Sequence, residues 1–217
     1  MRDNQVLWED EYLIAVYKPS TLPVQPDKTG NNSLLKVVKR YCKSNIYLIN
    51  RLDRPASGVV LFAKRKSIAA ALTEQLKNRT VIKTYLAVTP KTEIAPKNKL
   101  IHHIRKDGKT NRSFAFDKPL HHTQKAELDY EIIASIERYQ LLKINLITGR
   151  HHQIRAQLSA LKSPIKGDVK YGFKRGNRDR SIHLHAWKIQ FEHPFDNYTV
   201  EVEAPLPDDT VWQAFDF

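Results

Sequence analysis

Cysteine is nearly missing from this chain: Cys42 stands alone among 217 residues. One thiol closes no intrachain disulfide, and no CxxC pair is present to hold zinc. Acid is scarce as well, with 23 Asp+Glu against 36 Lys+Arg and a formal net charge of +13. The pI is near 9.7. Long apolar runs do not occur, and nothing approaches the roughly 20 residues that cross a bilayer as a helix. The opening, "MRDNQVLWEDEYLI", is charged early and lacks the apolar stretch of a signal peptide. There is no internal repeat and no low-complexity tract. The expectation is a soluble, cytoplasmic protein of a reducing compartment. Its surplus of base suits a polyanion, because phosphate binding releases condensed counterions. An anionic membrane surface would attract it too, and charge alone does not choose.

What is present is a chain long enough for a real core, read most simply as one domain over 1–217. "YLIAVYK" (12–18) reads as a strand ending at Pro19, and Ser33 is placed to N-cap a helix through "LLKVVKRY". "IYLI" (46–49) reads as a strand, and "VVLFA" (59–63), apolar on both faces, as a central one. Ser67 is expected to cap a helix with Ile68, Leu72 and Leu76 on one stripe. "VIKTYLAV" (81–88) alternates, sending Lys83 and Tyr85 to one face. Residues 90–118 are polar and basic, which fits an inserted hairpin or flexible arm. Strands resume at 126–134 and 139–147, "TGR" (148–150) leads into a helix, and "IHLHAWKIQF" and "YTVEVEA" form a closing antiparallel pair. The fold class expected is α+β, on a mixed, mostly antiparallel sheet.

The stretch "YLINRLDRPASGVVLFAK" sets Asp53 between Arg51 and Arg54, ahead of a buried strand. Guanidinium neighbours favour a charged carboxylate, and such a carboxylate can act as a nucleophile. Taken alone, a solvated surface ion pair is the commoner explanation. Pro55 and Gly58 tighten the turn, as a preorganised site needs. Tyr85 can stack on a base, although a half-buried sheet tyrosine is the more frequent case. Arg150 is expected in the first turn of the helix after "LITG", where a cation opposes the helix dipole and so suggests a phosphate. Arg155 falls beside the apolar stripe of Ile154 and Leu158 and must be paired, with Asp53 the expected partner. His102/His103, His121/His122 and His151/His152 are adjacent pairs, which diverge in regular helix or strand; only His183 and His185 are spaced to face one way on a strand, and no further ligands at metal spacing stand out. "GFKRGNRDRS" (172–181) is basic and turn-prone, as is 97–112, and both are candidates for nucleic-acid contact.

Together these segments resemble the RluA-type pseudouridine synthases. "NRLDRPASG" (50–58) is similar to H-R-L-D-x-x-T-S-G, and "KTYLAV" (83–88) to K-x-Y-x-A. "LITGRHHQIRAQL" (146–158) is similar to L-x-T-G-R-T-H-Q-I-R-x-H-L, and "VYKPSTLPVQP" (16–26) to K-P-x-G-x-x-V-x-P. "SPIKGDVKYG" (163–172) and "HLHAWKIQFEHP" (183–194) match two further signatures. The resemblance implies isomerisation of an RNA uridine to pseudouridine with no cofactor and no metal. It implies a sheet flanked by helices around an RNA-binding cleft, with no S4-like domain, and tRNA or rRNA as substrate. By position, Asp53 is the essential aspartate, Tyr85 stacks on the target base, Arg155 pairs with the aspartate, and Arg51 enters the RNA stack. Asn50, Arg54, Lys83, Arg150, His152 and Gln153 fall in the same motifs and are expected on the substrate side. Asn50, Ala56 and His151 replace the usual His, Thr and Thr, and Thr21 stands where glycine is common. Two other readings compete: an RNA-binding protein or chaperone that has lost catalysis, and a metal-dependent nuclease drawing on the histidine pairs. A monomer is the simplest expectation, with no membrane partner.

Overall fold

The computed structural model describes residues 5–26 and 32–217. In chain order the elements are β1 (Val6–Glu9), β2 (Leu13–Lys18), α1 (Leu34–Cys42), β3 (Tyr47–Leu48), β4 (Ser57–Ala63), α2 (Lys66–Lys77) and β5 (Ile82–Pro90). They continue with β6 (Lys97–Asp107), β7 (Arg112–Phe116), β8 (Gln124–Ser135), β9 (Tyr139–Leu146), α3 (Gln153–Ala160), β10 (Leu184–Glu192), β11 (Thr199–Glu203) and α4 (Thr210–Gln213). A 3-10 turn, Val169–Tyr171, follows α3. Contacts divide the chain into two compact units, Met1–Lys83 with His185–Pro207, and Thr84–Leu184 with Asp208–Phe217. No helix among the described residues is long and apolar enough to cross a membrane.

In the first unit β1 runs antiparallel to β2, β2 to β4, and β10 to β11. β4 and β10 are parallel, which makes the sheet mixed. All seven residues of β4 are buried. Covered on both faces, such a strand needs no polar alternation. Leu13, Ile14, Ala15 and Val16 of β2 are equally enclosed. Gly58 is required where β4 meets β10: its φ is +120°, and a Cβ there would lie 2.2 Å from the Ala186 carbonyl oxygen. Ser33 caps α1 as expected, its Oγ accepting from the Lys36 N–H at 3.4 Å. Ser67 does not cap α2. That helix starts two residues earlier than such a cap would allow, after extended Arg65 and with no side-chain cap, which leaves Ser67 inside the first turn.

In the second unit the strand order is β5-β9-β8-β6-β7, every neighbour antiparallel. Leu128, Tyr130, Leu142 and Ile144 are buried along β8 and β9. Residues 97–116 form an ordered hairpin, β6 and β7. Its inward residues include His102 and Ser113, whose polarity hides the strand signal. Both are satisfied: the Gln157 side chain of α3 lies 3.0 Å from His102 Nδ1, and Ser113 has its Oγ 2.9 Å from His151 Nδ1 while its N–H donates to the Tyr171 hydroxyl at 2.7 Å. β10 and β11 form the closing antiparallel pair. The architecture is therefore α+β with mostly antiparallel pairing.

Candidate active site

In the first unit, β4 carries the turn that holds Asp53. Asn50 behaves as an extra strand residue beside β4, accepting from Leu61 N–H at 2.7 Å and donating to the Val59 carbonyl at 3.3 Å. Leu52 is 8% exposed and anchors the segment, while Arg51 and Arg54 on either side of Asp53 are exposed. A backbone bond from Ala56 N–H to the Asp53 carbonyl, 3.1 Å, closes the turn. It needs no hydroxyl at position 56, and the Ala56 methyl is buried.

A second loop, 19–22, is tied to this turn. Thr21 N–H donates to the Arg54 carbonyl at 2.8 Å, and Arg54 Nε donates to the Thr21 carbonyl at 2.9 Å. Thr21 has φ +73°, so threonine here adopts the left-handed geometry that glycine takes without strain. Lys18 joins the two loops from beneath. Its ammonium, fully buried, donates to the carbonyls of Pro19, Leu22 and Arg54 at 3.0, 2.9 and 3.1 Å. Burial lowers its pKa to about 7, with Asp53 opposing that shift and Arg54 adding to it. Lys83, at the start of β5, is half-buried, and desolvation lowers its pKa. Among the described residues it has no hydrogen-bond or ion-pair partner.

In the second unit, Tyr85 is only 6% exposed and sits opposite Ile144 of β9. The segment between β9 and α3 is held by polar side chains. Gln153 Oε1 accepts from Thr148 Oγ1 at 2.8 Å and from Arg150 N–H at 3.0 Å, and its Nε2 donates to the Glu127 carbonyl at 3.0 Å. α3 begins at Gln153 because His152 is left-handed, φ +51°. Arg150 therefore precedes the helix rather than occupying its first turn, and the dipole argument for it lapses. It is exposed, with Nε on the Lys125 carbonyl at 3.1 Å. The same left-handed residue brings two adjacent histidines together, where regular backbone would part them. The rings of His151 and His152 stack with centroids 3.8 Å apart.

Arg155 is 4% exposed and gripped by Asp168, itself 1% exposed, through Nε–Oδ2 and Nη2–Oδ1 contacts of 2.7 and 2.9 Å. Its guanidinium lies over the Tyr171 ring at 4.8 Å. The Tyr171 hydroxyl accepts from Ser113 N–H, so it has its own proton to give to His152 Nδ1, 2.9 Å away. That requires a neutral imidazole. Burial, with Arg155 next in effect, lowers the His152 pKa to about 2.

Reasoning from the residues did not single out Asp168, Tyr171 or Lys18. The signals were available: a buried arginine demands a carboxylate, and all three lie in the quoted stretches 163–172 and 16–26. Asn50 spends its side-chain amide on backbone, and Gln153 spends its own on backbone and on the Thr148 hydroxyl. The described residues contain no cluster of three or more His, Cys, Asp or Glu placed for a metal.

Residues 12–160 match the family model described as RNA pseudouridylate synthase. "tRNA pseudouridine synthase C" of Pasteurella multocida is 31% identical, over 92% of this chain and 90% of that protein. "Ribosomal large subunit pseudouridine synthase C" of the same organism is also 31% identical, over 94% of this chain and 65% of that one. Among solved structures, human RNA pseudouridylate synthase domain containing 1 superposes with TM-score 0.78 at 23% identity, over 94% of this chain and 83% of that chain. This last likeness speaks for the fold alone. The chain belongs to the RNA pseudouridylate synthase family, whose reaction is the isomerisation of uridine to pseudouridine in RNA.

Proposed function

We propose that this chain isomerises uridines in structured RNA, tRNA or rRNA, as a cytoplasmic monomer, with residues 1–217 acting as one catalytic domain. Asp53, Tyr85 and Arg155 are the catalytic residues in this reading. Arg51, Arg54, Lys83 and Arg150 supply positive charge toward the RNA. Asn50, His152 and Gln153 work on the substrate side through the turns they fix. The observation that carries the reading is the Asp53 turn: it lies inside the matched segment, between two exposed arginines, and rises from a wholly buried strand.

The reaction conserves every atom. The N1–C1′ bond breaks, the uracil rotates, a C5–C1′ bond forms, C5 gives its hydrogen to a base, and N1 ends protonated. A stacked base must first be extruded, at a cost of a few kcal/mol, which basic surface and an inserted Arg51 offset. A carboxylate then has three routes: attack on the sugar, attack on the ring, or removal of the 2′ proton.

RNA carrying tritium at uridine C5 tests the proposal. Total RNA from cells lacking the modification must release label to water with the wild-type chain. Asp53→Asn must release it roughly a thousandfold more slowly, within the span seen when an acid–base or nucleophilic group is removed. Equal rates would overturn the role of Asp53, and no release by wild type would overturn the proposal itself.

A further inference from the structure

The hairpin β6–β7 has two faces. The inner one is covered: Ile104 and Ala115 pack with Ala126, Ala156 and Tyr171. β7 is the last strand of its unit's order. The outward positions of the hairpin gather His103 and Arg105 on β6 with Arg112, Phe114 and Phe116 on β7. Arg105 pairs in register with Phe114, and His103 with Phe116. On the diagonal, the Arg105 guanidinium lies 5.3 Å from the Phe116 ring centroid; along β7, that of Arg112 lies 5.4 Å from Phe114 and 5.3 Å from Tyr171. Phe114 is 40% exposed.

Neither arginine has a carboxylate partner among the described residues, and the Nε of Arg112 is buried with no acceptor at all. Residues 97–125 carry eight Lys and Arg against two Asp. One of those acids, Asp107, is turned back on the hairpin loop, accepting from Lys109 N–H and Thr110 Oγ1 at 2.9 and 2.6 Å. Aromatic rings beside guanidiniums that make no direct ion pair suit a ligand with π faces and phosphates together. A second copy of a +13 chain meets repulsion on this surface instead.

We propose that this outer face is a second RNA-contact surface. Unpaired nucleobases stack on Phe114 and Phe116, and the flanking phosphates are taken by Arg105 and Arg112. The inference rests on the reading that the chain acts on RNA, and it adds a contact remote in sequence from the Asp53 turn. Stacking on an aromatic side chain tolerates any base, so this surface supplies grip and placement rather than choice of sequence.

The test uses the full chain and a single-stranded RNA oligonucleotide carrying 5-iodouridine, a photocrosslinker that reacts with stacked aromatic rings. Illumination followed by peptide mapping must place crosslinks on Phe114 or Phe116. The pair Phe114→Ala with Phe116→Ala must weaken binding roughly tenfold or more, in line with the loss of base stacks. It must raise KM while leaving kcat and melting temperature as in wild type. Independently, Arg105→Gln with Arg112→Gln must reduce the slope of log affinity against log salt by roughly 1.4, about 0.7 per phosphate lost. Absence of crosslinks together with unchanged affinity overturns the proposal. So does a double variant that turns a dimer into a monomer at unchanged RNA affinity, since the face would then serve a second copy. A wild type that crosslinks through the hairpin but releases no tritium sinks the isomerase reading alone. An active enzyme indifferent to loss of both rings sinks only this one.

Discussion

Arg155 carries a buried charge whose cost must be met nearby. Asp168 meets it with two short contacts, and the guanidinium lies over the ring of Tyr171, 4.8 Å from its centroid. Breaking a buried ion pair from one side costs about 3–5 kcal/mol. Asp168→Asn is therefore expected to lower unfolding free energy by that amount, read from the midpoint of a urea transition at pH 7. Asp168→Leu, with no hydrogen-bonding group, should be at least as damaging. Exposed pairs behave otherwise: Lys77 with Glu74, both largely in solvent, contributes about 1 kcal/mol or less. An Asp168→Asn protein as stable as wild type would show that Arg155 is supported from elsewhere.

At the scale of elements, the parallel contact of β4 with β10 has a titrating group built into it. His185 pairs in register with Ser57, its Nδ1 2.9 Å from Ser57 Oγ and its Nε2 3.3 Å from the Ala204 carbonyl. With Nε2–H donating to that carbonyl, Nδ1 is free to accept the serine proton, so the ring is neutral. Burial brings its pKa down to about 4, against the upward pull of Ala204 and Glu203. In an unfolded chain imidazole titrates near 6.5. Above that pH neither state binds the proton, and His185 adds no pH dependence. Below it the unfolded chain takes up a proton that the folded chain refuses, so stability falls as pH drops from about 6.5 toward about 4. At pH 5 the loss is about 2 kcal/mol, or roughly 4–8 °C in melting temperature for a chain of this size. Melts at pH 7 and pH 5 should show at least that difference, because burial shifts His152 in the same direction. In His185→Gln the difference should shrink by about the same amount, and an unaltered profile would remove His185 from the account.

At the scale of the whole molecule, what could be read in advance divides along physical lines. β4 announced itself because enclosure on both faces leaves the unbroken apolar run 59–63, and Ser33 because a cap is a local device. The β6–β7 segment could be read as a hairpin or as a flexible arm because the side chains of its inward His102 and Ser113 find their partners, Gln157 and His151, far off in sequence. α2 and the turn before α3 were misplaced for a related reason: one starts without a side-chain cap, the other depends on a left-handed His152. Asp53 was legible through its arginine neighbours, whereas Asp168 and Lys18 have meaning only through the carbonyls and guanidinium they face. Charge is the property that needs no fold to be read, and +13 over 217 residues makes a direct demand. If the cations act on phosphates, association must weaken linearly in log salt. Five phosphates engaged along single-stranded RNA give a slope of roughly −3.5, and so roughly a hundredfold weaker binding between about 50 and about 200 mM salt. Fluorescence anisotropy with a labelled RNA measures this. Asp53→Asn should follow the same slope as wild type, since it removes chemistry and leaves the cations in place. A flat salt dependence would mean that the basic surface serves solubility, and that RNA is held by some other means.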